Sequence, residues 1–369
     1  MKAAIDIGPL TSGDRVRGVG FYTRELIKSL EKELAKHKGI TIDKLSSEKI
    51  LQESHNYDIV HIPYFNPFSL TVPQKLNTKV VVNIHDATPL LFPKQYKPGL
   101  RGKMNFFRQK SRLRNVDAVI AISESAKKDI VRFYAVPKEL VHVTHLAAGD
   151  HFKVLPKSSK VLSKTKSKYS LPKKYVLYAG DVNYNKNIPT LVEAANAAKV
   201  PLVIVGQQAE VVKQGYTTTL RNLEGPRDWA RYVFGKPHPE HAHYEKLGRL
   251  IRKTKTTCTG FVPEEDFVAI LNLATVYCQP SYAEGFGLPV VQSAMCGTQV
   301  IASKIQTLVE IAEDYATFFD GNSPKDLSKL LKKAFDNPKK LSNAKVNRIK
   351  KRFNWEKTAE ETLQVYKSI

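Results

Sequence analysis

Cysteine is scarce: Cys258, Cys278 and Cys296 are the three thiols in 369 residues, at no metal-ligand spacing. That excludes a disulfide framework and a zinc ribbon, and the expectation is reduced packing residues of a cytosolic protein. No apolar run reaches the ~18 to 20 residues of a membrane span. The opening MKAAIDIG has too short an apolar stretch for a signal peptide and reads as a first strand. No helix-turn-helix, zinc-finger or RNP-type word occurs, so nucleic acid is not an expected partner. Low-complexity blocks that would imply disorder are missing too.

Acidic residues are the minority charge, 35 against 58 basic ones, for a formal net charge of +23. Such a surplus attracts polyanions, phosphate-bearing substrates or an anionic membrane face, though much of it is ordinary solvated surface. The length exceeds a usual single core and fits two domains, and a hydrophobic fraction of 42% is ample for burial.

Apolar strand-like runs separated by helical patterns occur at 2–7, 58–62, 79–86, 117–123 and 140–145. A second series follows at 175–180, 201–206, 257–262, 275–280 and 299–303. This alternation is the signature of doubly wound parallel sheets with both faces covered, which bind ligands beyond the carboxyl ends of their strands. Between the two series, residues 153–174 are rich in lysine, serine and proline with little to bury, and read as the connection.

Several words punctuate the strand ends. The chain is organised around residues 280–303, where a buried strand ends in a turn holding Gly285 and Gly287, followed by a helix from about 289 to 296. Pro289 suits a first helical turn, and the glycines remove Cβ atoms that would keep a ligand from the backbone. Backbone amides at a helix N-terminus beside Glu284 suit a phosphate or a sugar hydroxyl. A glycine turn alone is equally well a tight connection. In 178–187 a strand ends at Gly180 and a polar loop carries Lys186 ahead of a helix. An ammonium there is unfavourable for the dipole unless it meets an anion.

In the first half, Gly18 and Gly20 precede the helical pattern of 21–37, as a flexible βα loop or as a close approach to phosphate reinforced by Arg17. His85 and Asp86 end a strand; a lone histidine there is as readily structural as functional. Ser123 or Ser125 is a helix N-cap. In 97–114, seven basic residues are interleaved with Leu100, Met104, Phe106 and Phe107. That is either a surface helix with its apolar side in the core or an interfacial helix resting on anionic lipid. His61 is a candidate for lining an acceptor site. His238, His241 and His243 lie in a long polar insertion, 207–256, and their spacing is read as accidental rather than as a metal site.

Glu284-Gly285-Phe286-Gly287-Leu288-Pro289, followed by Gln292 and then Ala294-Met295-Cys296-Gly297-Thr298, closely resembles the Glu-x7-Glu region of retaining glycosyltransferases of the GT-B fold, family four. The loop 17–23, the Ile84-His85-Asp86 word, the Ser123-Glu124 segment, the loop of Lys186, the word 260–266 and the C-terminal helix resemble further segments of that family in the same order. The resemblance implies a GT-B, α/β architecture of two Rossmann-like domains facing across a cleft. It divides the chain into 1–165 with a closing helix 356–369, and 166–355.

It also implies a retaining, metal-independent transfer with no cofactor beyond a nucleotide-sugar substrate. His85, Lys186 and Glu284 carry the chemistry. Gly18, Gly20, Gly180, Lys186, Val262, Glu284, Gly285, Phe286, Gly287, Leu288 and Gln292 hold the donor. The acceptor would be a glycan or lipid-linked glycan, the donor GDP-mannose, and the location cytoplasmic, with attachment to the inner membrane face through 97–114 left open. Two positions depart from the family pattern: Gln292 stands where a ribose-binding Glu is usual, and Asp181 where an Arg is common. A nucleotide-sugar epimerase or phosphorylase of the same fold, or a non-catalytic glycan- or lipid-binding relative, are the alternatives.

Overall fold

The computed structural model describes residues 1–11, 13, 18–36, 39–215 and 239–369. Arg17 and His238 lie outside the described residues. The chain falls into two compact units: Met1–Leu91 with Lys97–Gly149 and Arg352–Ile369, and Phe92–Tyr96 with Asp150–Lys351.

The first unit carries β1 (Lys2–Asp6), β2 (Thr41–Leu45), β3 (Ile59–Ile62), β4 (Lys79–Ile84), β5 (Ala118–Ala121) and β6 (Val141–Val143). They form one sheet in the order β2-β1-β3-β4-β5-β6, parallel throughout. β3 and β5 are buried along their whole length, as strands covered by helices on both faces must be. Strand order reverses beside β1, so the crevice of this sheet opens where the chain leaves β1 and β3. The helix Gly18–Leu34 packs against the C-terminal helix Trp355–Ser368, with the Phe21 and Tyr22 rings 6.0 and 5.9 Å from that of Trp355.

The second unit holds β7 (Val176–Ala179), β8 (Leu202–Val205), β9 (Thr256–Cys258), β10 (Val276–Gln279), β11 (Val300–Ser303) and β12 (Ala316–Phe319). Their order is β12-β11-β10-β7-β8-β9, again all parallel. The chain runs outward from β7 through β8 to β9 and returns to start β10 on the other side of β7. The switch point therefore lies between β7 and β10, and the loops that leave those two strands border it. All eight residues of β7 and β8 are buried.

One expectation is corrected. Residues 153–174 bury little, as expected, but they belong to the second unit rather than linking the two: Lys160–Lys168 is a helix, and Asp266 accepts from Thr165 Oγ1 (3.2 Å), Lys168 Nζ (2.6 Å) and Tyr169 Oη (2.9 Å). The described part of the polar insertion is helical at Gln207–Gly215 and Pro239–Arg252, where Tyr244, Leu247 and Ile251 are buried. No helix of the described residues is long and apolar enough to cross a membrane.

Candidate functional site

Glu284 stands in the loop that leaves β10, and its carboxylate is the hub of the second unit's switch point. It accepts from Lys186 Nζ at 2.9 and 2.8 Å, from Gln279 Nε2 at 2.8 Å and from Ser281 Oγ at 2.6 Å. The Glu284 side chain is 8% exposed and that of Lys186 23%, so the pair is half-sheltered from water while the ammonium remains reachable. Burial pushes the Tyr178 and Tyr277 hydroxyls, under the site, well above their ordinary range, and the negative charge of Glu284 adds to it. Both rings therefore stay neutral donors.

The local backbone explains how a lysine reaches this place. β7 ends at Gly180 with φ +135°, and the chain makes a short 3-10 turn, Tyr184–Lys186, before Asn187 takes the left-handed conformation at φ 53° and caps the helix Ile188–Ala197. An asparagine adopts that conformation more readily than most residues. Two asparagines stitch this loop to the one after β10. Asn185 Nδ2 donates to Ala283 O at 3.1 Å, and its carbonyl oxygen accepts the Tyr282 amide at 2.7 Å. Asn187 Nδ2 donates to Pro280 O at 3.0 Å and to Gly321 O at 2.8 Å. Lys186 is thus held between two anchors.

After Glu284 the chain turns at Gly285 and Gly287 into the helix Leu288–Met295, with Pro289 in its first turn. Gly287 has φ +92°, a conformation that favours glycine, and a Cβ there would lie 2.7 Å from Leu308 Cδ2, so that side chain would have to shift. Thr307 Oγ1 fixes the turn by donating to the Glu284 carbonyl at 2.8 Å. Phe286, in the turn, is buried, and so is Gln292 on the helix Leu288–Met295. At the neighbouring strand ends, Gly206 donates its amide to Gly260 O at 3.1 Å, and a Cβ at Gly206 would meet Gly180 O at 2.4 Å. Main chains therefore converge beside Val262, which is buried.

The structure brings Gly180, Lys186, Glu284, Gly285, Phe286, Gly287 and Leu288 to one switch point. Sequence reasoning missed Gln279, Ser281, Asn185 and Asn187; the signal available was a pair of asparagines flanking a lysine at a helix start, and a serine three residues before a glutamate. It also missed Phe92–Tyr96, which belongs to this unit: Tyr96 Oη donates to Asn185 Oδ1 at 2.6 Å, and the Phe92 ring lies 5.6 Å from that of Tyr184. Asp181 is exposed, and its carbonyl accepts from Tyr178 Oη at 2.6 Å. His243 Nε2 donates to Val182 O at 2.8 Å, and burial holds its pKa below the usual histidine range. That ring serves the loop after β7.

In the first unit, His85 follows β4, with the Tyr22 ring edge-on at 4.9 Å. Its Nε2 atom is buried and has no hydrogen-bond partner among the described residues, and burial lowers the ring to about 4. The imidazole is neutral at pH 7 and keeps one nitrogen unused. Asp86 orders its loop by accepting the Thr88 amide at 2.8 Å. Gly18 and Gly20 open the helix that carries Tyr22; a Cβ at Gly18 would meet nothing within 4 Å among the described residues. Ser123 caps its helix by accepting the Ala126 amide at 3.0 Å.

His61 does not line any surface, contrary to expectation. It is fully buried in the sheet, where Nε2 donates to Asn83 Oδ1 and Nδ1 accepts from Tyr366 Oη at 2.6 Å. Because Asn83 Nδ2 donates to Tyr22 Oη at 2.8 Å, the amide and imidazole orientations are both fixed. This is a closed core network.

Comparison with known proteins agrees with the fold. The family described as Glycosyl transferases group 1 matches residues 162–352, and Glycosyltransferase Family 4 matches residues 36–147. The serotype-specific mannosyltransferase WbdA of Escherichia coli is 24% identical over 310 residues, covering 82% of this chain and 36% of its own length. The chain thus spans about a third of that relative. The O-antigen chain mannosyltransferase B of Escherichia coli is 24% identical over 308 residues, covering 80% of this chain and 72% of its own.

Among solved structures, sucrose-phosphate synthase from Thermosynechococcus elongatus superposes with a TM-score of 0.69 at 19% identity, covering 100% and 98% of the two chains. HepE of Anabaena in complex with UDP and glucose gives 0.70 at 15% identity, with 100% of each chain covered. These likenesses show the GT-B fold. With the family match extending over more than half of its length, from residue 162 through the Lys186 and Glu284 loops to residue 352, the chain belongs to the glycosyl transferases group 1.

Proposed function

We propose that the chain moves a hexose from a nucleoside-diphosphate sugar to an acceptor hydroxyl with retention at the anomeric carbon, and that the donor is GDP-mannose. The observation that carries this reading is the Lys186–Glu284 pair at the carboxyl ends of β7 and β10, beside the helix N-terminus at Gly287. When the bond from the anomeric carbon to the diphosphate breaks, negative charge grows on the departing oxygen. An ammonium and the backbone amides of 286–288 would stabilise it without a metal, because they are already oriented. Lys186 would exchange one anion, Glu284, for another, the diphosphate. Glu284 would then turn its oxygens to sugar hydroxyls, still steadied by Ser281 and Gln279.

The new bond forms from the acceptor oxygen to the same carbon, and the departing diphosphate takes the acceptor proton. His85, neutral and with one nitrogen unused, suits a sugar hydroxyl. Gln292 can still give and accept hydrogen bonds to ribose, although it lacks the charge that a glutamate would bring. Gly180 and the main chain at Val262 would border the nucleotide, and Gly18 and Gly20 leave room for phosphate. The mannosyltransferases among the relatives support mannose as the sugar. The acceptor would be a glycan or lipid-linked glycan, met in the cytoplasm at the inner membrane face.

The test is a thermal-shift screen of the full chain against GDP-, UDP- and ADP-sugars, followed by determination of the product anomer. A ligand that binds only the folded state raises the melting temperature. GDP-mannose should give the largest shift and an α-linked product. Conversion of the sugar nucleotide without any acceptor would favour an epimerase instead, and no binding of any sugar nucleotide would favour a non-catalytic relative.

A further inference from the structure

The helix Leu100–Arg112 is amphipathic in the reverse sense. Its fully buried positions are polar: Asn105 and Gln109 hold the loop 66–72, with the half-buried Phe106 ring beside them against Phe68 and Tyr134. Asn105 Nδ2 donates to Phe68 O at 3.0 Å, Gln109 Nε2 donates to Ser69 O at 2.7 Å and Thr71 Oγ1 at 2.6 Å, and Gln109 Oε1 accepts the Val72 amide at 3.3 Å. Its outward face is apolar. Leu100, Met104 and Phe107 are 75%, 48% and 69% exposed, and Leu70 in the tethered loop is 45% exposed. Spacings of four and three place the helical trio on one stripe. Half of the large apolar side chains that stand exposed among the described residues lie on this helix and its loop.

The charges are arranged around that stripe. At 100° per residue, Arg101 and Arg108 fall along one edge and Lys103 and Lys110 along the other. Lys110 Nζ and Arg112 Nη1 reach backbone carbonyls, Phe133 O at 3.2 Å and Val72 O at 2.7 Å, which leave their charge uncompensated. Between Asp86 and Asp117 the sequence has eight lysines and arginines and no acidic residue. A second copy of the chain docking here would set this charge against itself. An anionic lipid surface would accept both the stripe and its basic borders.

We propose that this helix lies in the plane of an anionic lipid surface, with Leu100, Met104 and Phe107 at the acyl boundary and Arg101, Lys103 and Arg108 on headgroup phosphates. The inference deepens the reading of a membrane-borne acceptor, and its test needs no turnover, so either can fail without the other. The full chain is sedimented with phosphatidylcholine vesicles with and without phosphatidylglycerol. Binding should require phosphatidylglycerol and weaken with salt.

Leu100→Ser with Phe107→Ser should reduce partitioning at least about tenfold. Arg101→Gln with Lys103→Gln and Arg108→Gln should reduce it by about a hundredfold, roughly fivefold per cation. Val211→Ser, at an exposed apolar site elsewhere, should change nothing. A Phe107→Trp chain should shift its added fluorescence to the blue only with the anionic vesicles. Equal binding to both vesicle types, full binding by the serine variant, or self-association of the chain in place of vesicle binding would overturn the proposal.

Discussion

Replacing Glu284 by glutamine tests the site by removing charge and almost no volume. Glu284 accepts four hydrogen bonds from three side chains, two of them from Lys186. The amide can keep one acceptor toward Ser281, but its NH2 group would face the ammonium, and Lys186 must turn away. Breaking a fully buried pair costs about 3–5 kcal/mol. Here Lys186 is 23% exposed and can be solvated, which lowers the expectation to roughly 1–3 kcal/mol. For a unit of this size that is a melting temperature lower by about 2–12 °C.

Ligand binding should move the other way. In the ligand-free protein a diphosphate competes with Glu284 for Lys186, and in Glu284→Gln it does not. GDP affinity should rise by up to about tenfold, or ~1.4 kcal/mol, while transfer falls because the sugar loses its carboxylate. Differential scanning fluorimetry and titration calorimetry on the same preparations read both quantities. An unchanged melting temperature would refute the stabilising ion pair. Weaker GDP binding would refute the exchange of anions at Lys186.

Other perturbations follow from single residues. Gly287→Ala should destabilise the protein by at least about 1 kcal/mol in urea titration, because alanine is strained at φ +92° and its methyl group would collide with Leu308. His61 is neutral in its network, with burial lowering it to about 4 from an ordinary 6.5. Below pH 6.5 the unfolded chain takes up a proton that the folded chain refuses, so stability complete above pH 6.5 is lost as the pH falls toward 4. Between pH 7 and 5 this amounts to about 2 kcal/mol, and urea titrations of His61→Gln should lack that increment. Gln292→Glu should tighten nucleotide binding by restoring a charge-assisted hydrogen bond to ribose; unchanged affinity in calorimetry would refute this account of the residue.

The two sheets were legible in the sequence because most of their strands are buried on both faces and appear as unbroken apolar runs. β2 and β12 were not: both are edge strands, and TIDKL and ATFF are partly exposed and carry no such run. The Lys186 and Glu284 words could be read because glycine, proline and charge punctuate strand ends. Their stitching by Asn185 and Asn187 depends on contacts about a hundred positions away, which local pattern does not carry. His61 misled because a lone histidine near the end of an apolar strand run was taken for a lining residue, whereas Asn83 and Tyr366 satisfy it inside the sheet. The segment 153–174 misled through composition: its lysines and serines cover a short helix that Asp266 ties down. The reverse polarity of Leu100–Arg112 needed coordinates, since sequence alone left open which face turns inward.

The central claim is that a sugar nucleotide is held by Lys186 next to the helix N-terminus at Gly287. Titration calorimetry of GDP-mannose into the unaltered chain and into Lys186→Ala tests it most directly. The account predicts measurable binding that weakens at least about tenfold in the variant, the equivalent of one charge-assisted hydrogen bond to diphosphate. Equal affinity in a variant that remains folded would contradict it.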